Sequence, residues 1–113
     1  MSEYVLGIDL GTTYSCVAVM DHGGLHVLEQ KGGYRTLPSV VAFNPDGSSM
    51  VGHIAKRQSV TNSENTVYAA KRLIGRNFDS AEVQRSMKAV PYKVTQGPNR
   101  DPRIQIFSKK YSI

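Results

Sequence analysis

The chain has 113 residues, 40% hydrophobic and 20% charged, which gives room for about one domain with a core but not for a large two-lobed body. That composition excludes wholesale disorder, and Cys16, the single cysteine, excludes an internal disulfide. The net charge of +5 is uneven: residues 1–64 carry four basic and six acidic side chains, whereas residues 65–113 carry ten basic and three acidic, a net of +7. A basic half suits a nucleic acid, an acidic membrane or a phosphorylated ligand. The aromatic residues are not interleaved with the basic ones, so no nucleic-acid partner is expected. No run of about eighteen apolar residues is present, so no membrane span or membrane partner is expected. No signal or transit peptide is legible at the start.

In chain order, the first informative stretch is Leu6-Gly7-Ile8-Asp9-Leu10-Gly11-Thr12-Thr13-Tyr14-Ser15. Apolar and β-branched residues on both sides of a short turn predict strands over about 4–10 and 14–20. Gly11 is expected to take a backbone conformation closed to other residues and to admit a ligand close to the main chain. The N–H groups of Gly11, Thr12, Thr13 and Tyr14 suit an anion-binding concavity, to which the two threonine hydroxyls add donors. Asp9, read as lying at the end of a buried strand, needs a counter-charge, and a hydrated Mg²⁺ beside the phosphates would supply one. The same pattern fits a plain hairpin with a polar turn and a hydrogen-bonded Asp, and the residues alone leave both readings open. Cys16 reads as a small core residue.

Asp21-His22-Gly23-Gly24 is a turn, and Leu25 to Glu29 predicts a third strand of a meander. His22 and His26 lie across that turn with no third ligand, so an exposed hairpin is expected rather than a zinc site. After the turn at Gly32-Gly33 and Pro38, Ser39 to Phe43 predicts a strand. Asn44-Pro45-Asp46-Gly47 predicts a turn, and Met50-Val51 a short return. A helix is expected over His53 to Val60, with Ile54 and Ala55 inward and His53 at the surface. Thr66 to Ile74 predicts a second helix, because Val67, Ala70 and Ile74 recur at helical spacing before the terminator Gly75. Lys71 and Arg72 would then point in different directions. Asp79-Ser80-Ala81-Glu82 is an N-terminal cap signal for a helix to about Lys88, with Val83 and Met87 inward. Strands follow over Tyr92–Thr95 and Arg103–Phe107, with Lys109-Lys110 expected to turn before Tyr111.

Three stretches together carry a family likeness: Val5 to Val17, Arg35-Thr36-Leu37-Pro38-Ser39-Val40-Val41-Ala42-Phe43, and Asn65-Thr66-Val67-Tyr68-Ala69-Ala70-Lys71-Arg72-Leu73-Ile74-Gly75-Arg76. In this order they resemble the start of the ATPase domain of the seventy-kilodalton heat-shock chaperones, the DnaK-type family. The likeness is strong from about Val5 to Asp79 and weak from about Thr95 onward. It implies an α/β fold, part of an actin-like, ribonuclease-H-like ATPase domain. First-lobe strands would span about 1–38, and a smaller α/β subdomain about 39–113. It implies an ATP-dependent folding chaperone using ATP/ADP and Mg²⁺. Unfolded client polypeptides, J-domain co-chaperones and nucleotide-exchange factors would be partners of the full-length protein. By matched position, Gly11 would open the turn and Thr12, Thr13 and Tyr14 would contact the phosphates. Asp9 would orient water on Mg²⁺, and Lys71 would reach the γ-phosphate and position the attacking water. Arg72 would help to frame the pocket.

The family's second phosphate-binding hairpin, adenosine-binding segment and peptide-binding domain have no counterpart in these residues, so the isolated chain is expected to have little or no ATPase activity. A fragment whose sheet edges or apolar faces were left bare would also be only marginally stable. The wording around Ala18-Val19-Met20 and Ala55 to Asn62 resembles the bacterial and mitochondrial branch, whereas Tyr14, where that branch has Asn, looks cytosolic. The expected compartment is the mitochondrial matrix, with the cytoplasm as the alternative. Two other functions remain: a non-catalytic interaction or regulatory module, and an actin-like small-molecule kinase sharing the Asp-Gly-Thr turn.

Overall fold

The computed structural model describes residues 3–30 and 32–113. Three small antiparallel sheets account for most of the order. The first contains β1 (Val5–Leu10), β2 (Tyr14–Asp21) and β3 (Gly24–Val27) as the expected meander, and β4 (Leu37–Pro38) pairs with the start of β2. The second places β5 (Val40–Phe43) between β6 (Ser49–Val51) and β7 (Thr66–Tyr68). The third is a meander of β8 (Lys93–Gln96), β9 (Pro102–Ile106) and β10 (Lys109–Ser112). Two helices, α1 (His53–Arg57) and α2 (Ala81–Ala89), and two 3-10 turns, Ser63–Asn65 and Ala70–Leu73, complete the elements among the described residues. The fold is therefore mixed α/β with mostly antiparallel strands, as the sequence predicted.

The larger of two core clusters lies in the second half. Leu73, Val83, Tyr92, Val94, Ile104 and Ile106 form one cluster, with Phe43, Val67 and Met87 packed against it. Strand alternation sets the two faces of β5: Val40 and Ala42 pack on Ala55 of α1, and Phe43 turns toward the third sheet, where it stacks on Tyr111 at 5.1 Å. Ser80 caps α2 as its sequence signalled, with its hydroxyl accepting the N–H of Val83 at 3.3 Å.

Several expectations are corrected by packing. Residues 66–68 are a strand, not the start of a helix, because Thr66, Val67 and Tyr68 pair with Ala42, Val41 and Val40. The buried Thr66 hydroxyl accepts from Gln58 at 2.9 Å and donates to the Asn62 carbonyl at 2.7 Å. Helix follows only as the single turn Ala70–Leu73, in which Leu73 is buried and Ile74 exposed. Helix α1 stops at Arg57, and Ile54 faces solvent while Ala55 is buried. Lys109 and Lys110 belong to β10, and the turn falls at Phe107-Ser108 instead. His22 and His26 flank a hairpin in which the His26 imidazole meets Asp21 at 3.3 Å.

The largest correction concerns the first sheet. A continuous apolar strand such as β1 reads as buried on both faces. Here Val5, Leu6, Ile8 and Leu10 are each 61–66% exposed, and β1 is an edge strand. Asp9 therefore lies on an open sheet rather than in a buried one, and Cys16 is half-buried beside it rather than in a core. The radius of gyration, 16.6 Å, exceeds the roughly 13 Å of a compact hundred-residue domain, in keeping with a sheet that projects from the core. An edge with this much apolar surface and no Lys or Pro favours pairing with other chains. The chain is expected to bind an apolar dye and to self-associate at tens of micromolar, and the double variant Leu6→Lys/Ile8→Lys is expected to cut both by about threefold or more. Light scattering with dye fluorescence is the check; a monodisperse, dye-negative wild type refutes it.

A pH response follows from Tyr92. Its hydroxyl donates to the Tyr68 carbonyl at 2.6 Å, tying the residue just before β8 to the end of β7, and the Tyr68 ring meets it edge-on at 5.9 Å. Burial pushes its pKa up to about 12, with Tyr68 adding to the shift and Arg72 opposing it. The unfolded chain loses this proton near pH 10, so between about pH 10 and 12 the folded state holds the extra proton. Stability contributed by the protonated phenol is complete below pH 10 and is lost as pH rises through 12. The slope is at most about 1.4 kcal/mol per pH unit. Tyr92→Phe is expected to flatten that alkaline slope in denaturant titrations; an unchanged slope refutes it.

Candidate functional site

The turn between β1 and β2 is built by close approach. A Cβ on Gly11 would collide with the Tyr14 carbonyl, far inside any non-bonded distance. Gly11 is not in the left-handed region, so its requirement is room for the backbone rather than the special conformation expected from the sequence. Ser39 pins the turn from outside. Its N–H donates to the Thr13 carbonyl at 2.8 Å and its hydroxyl to the Gly11 carbonyl at 2.7 Å. The Ser39 hydroxyl proton is thereby used, so the Ser15 hydroxyl, 2.9 Å away, must be the donor in the remaining bond.

The Gly11 and Thr13 carbonyls are tied down, and the donors of the turn are left over. Among the described residues, the N–H groups and hydroxyls of Thr12 and Thr13 meet no hydrogen-bond acceptor. Both threonines line a cavity of about 440 Å³, whose other walls include Ser39, Lys56, Ser59 and Arg72. Unpartnered donors with two cations on the far walls have the chemistry that suits an anion.

Lys71 and Arg72 diverge as adjacent helical residues must. Ala69, held in the left-handed region at φ 56°, ψ 21°, starts the 3-10 turn that aims them. The Lys71 ammonium donates to the carbonyl of Leu10, the last residue of β1, while Arg72 turns to the cavity. Lys71 thus reaches the shoulder of the turn across 61 residues of sequence. Tyr14 stands at the turn's exit, half-exposed, with Lys56 Nζ 3.4 Å from its hydroxyl and 5.3 Å above its ring.

The structure therefore gathers Gly11, Thr12, Thr13, Tyr14 and Lys71 around one turn. Asp9 sits two residues before it, opposite Cys16, with no ion-pair partner among the described residues. No cluster of three or more His, Cys, Asp or Glu side chains suited to a metal occurs among the described residues. A single carboxylate suits Mg²⁺, which keeps most of its waters and takes few protein ligands. The collision at Gly11 and the free donors at Thr12 and Thr13 fit a phosphate chain at the cradle.

Sequence reasoning missed Ser39 and Lys56. Ser39 is one serine beside a proline, and Lys56 one cation on a short helix. Neither has a local pattern that sets it apart, since their contacts with the turn span 24 to 42 residues. A family model described as Hsp70 protein matches residues 5–112, nearly the whole chain and all of the residues just described. The match, the mixed α/β fold and the Gly11–Tyr14 cradle agree, and the chain belongs to the Hsp70 family of chaperones, with a fold consistent with part of that family's actin-like ATPase domain.

Proposed function

We propose that this chain carries the first phosphate-binding segment of an ATP-dependent folding chaperone and holds the phosphates of Mg-ATP at the Gly11–Tyr14 turn. The observation that carries the reading is the set of free donors on Thr12 and Thr13, opening on a cavity walled by Lys56 and Arg72. The Thr12 and Thr13 amides and hydroxyls bind phosphate oxygens, and the Tyr14 backbone closes the turn over them. Lys71, which donates to the Leu10 carbonyl, exchanges that oxygen for a phosphate oxygen on this reading, stabilises developing charge and orients the attacking water. Asp9 would hold a hydrated Mg²⁺ through water. The metal, when bound, neutralises phosphate charge.

On this reading residues up to about 38 belong to the first lobe and residues from about 39 to a smaller subdomain, with Ser39 at the join. ATP use coupled to client polypeptides, J-domain partners and exchange factors belongs to a longer polypeptide. The isolated chain offers one wall of a nucleotide cleft and hydrolyses little or no ATP. We assign it to the bacterial and mitochondrial branch and to the mitochondrial matrix; recovery of the tagged protein only outside mitochondria would overturn that assignment. The exposed first sheet favours a second reading, a non-catalytic interaction module, since its apolar surface is available to a partner.

A titration with Mg-ATP, followed by amide NMR and by phosphate release, tests these points. Saturable shifts at Thr12, Thr13 and Tyr14 without turnover are expected. No shift at these amides removes the phosphate reading and leaves the interaction module. Micromolar affinity with turnover removes the claim that the isolated chain is inactive.

A further inference from the structure

The basic half of the chain holds a second cavity, lined by arginines. Residues 65–113 hold five arginines and three acidic residues. Each acid is matched: Asp79 with Arg100, Glu82 with Arg76 at 3.7 Å, and Asp101 with Arg103 at 3.0 Å. Of these five arginines, Arg72 and Arg85 have no carboxylate partner among the described residues. Both line the same cavity, of about 320 Å³.

That cavity is a groove between the 3-10 turn and α2. Glu82, Arg85 and Ala89 fall at i, i+3 and i+7 on α2 and present one stripe to it. Ala69, Arg72 and Arg76 present the facing stripe. Small residues, Ala69 and Ala89, leave the gap between the two elements open. Arg76 is held in place twice, by Glu82 and by donation of its Nε–H to the Arg72 carbonyl at 3.1 Å. The walls are thus positive beyond what Glu82 neutralises, and the volume is at the small end of the range for ligand sites.

We propose that this groove binds a phosphoryl group, as inorganic phosphate or a small phosphate monoester, between Arg72 and Arg85. The planar fork of guanidinium matches phosphate oxygens in pairs, which an ammonium does not. The groove is distinct from the Thr12–Thr13 cavity, but Arg72 and Ala69 line both, so occupancy of one changes the cation available to the other. The site is open to solvent, so binding weakens as salt rises.

The test is an amide NMR titration of the whole chain with sodium phosphate at low ionic strength, against sodium chloride matched for ionic strength. Saturable shifts at Ser86, Ala89 and Val90 are expected, and Arg85→Gln, at a residue that lines only this groove, should weaken that response about fivefold or more without abolishing the Thr12 and Thr13 response. A second variant, Ser86→Glu, adds a carboxylate to the wall and should abolish it. Shifts no larger than those in chloride, or shifts that survive both variants, overturn the proposal. A response at Ser86 with none at Thr12 and Thr13 supports this site and counts against phosphate binding at the turn.

Discussion

Leu73→Ala is expected to cost about 2–5 kcal/mol, enough to unfold a marginal domain. Leu73 is 1% exposed and packs with Val83, Tyr92 and Ile104, joining the 3-10 turn to α2 and to the third sheet. Truncation leaves a cavity whose walls are sheet and helix, which cannot easily close. Leu73 also shares its turn with Lys71 and Arg72, so the two cations lose their aim with the same substitution. Urea unfolding gives the energy, and amide exchange at residues 70–73 shows whether the turn frays first. A loss under about 1 kcal/mol would mean that this packing does not anchor the turn.

Gly11→Ala is expected to cost about 3 kcal/mol, the upper end for overpacking, because the atom in the way is the Tyr14 backbone carbonyl and cannot rotate aside. Relief requires opening the turn, which pulls the Gly11 and Thr13 carbonyls away from Ser39. The control is Gly7→Ala four residues earlier, where an added Cβ meets nothing within 4 Å. That change is expected to be neutral or to stabilise by about 0.4–1 kcal/mol through the unfolded chain. Paired denaturation curves, with amide exchange across β1 and β2, decide the matter. Equal effects at the two glycines would show that the turn tolerates a side chain and is not the rigid cradle described.

Local chemistry made much of the fold legible. The strands of the first hairpin, the Ser80 cap and the inward Val83 of α2 were readable because each depends on neighbours within a few residues. The candidate turn was readable for the same reason, since Gly11, Thr12 and Thr13 are contiguous. Helical spacing at Val67, Ala70 and Ile74 misled because periodicity says nothing of a partner strand. The exposed backbone of β5 drew residues 66–68 into a sheet, and the β-branched Thr66 and Val67 suited it.

By itself, then, the sequence determined the first hairpin, the capped helix, the uneven charge and the contiguous Gly-Thr-Thr turn, all of them products of short-range sterics and hydrogen bonding. The tertiary structure decided what stands around that turn. Ser39 became its pin, Lys56 and Arg72 its facing cations, and Lys71 the donor to Leu10, because chain folding brings together groups tens of residues apart. It also decided that β1 lies open on both faces. Burial depends on what covers a strand, and a run of apolar residues specifies only that it would be more stable covered.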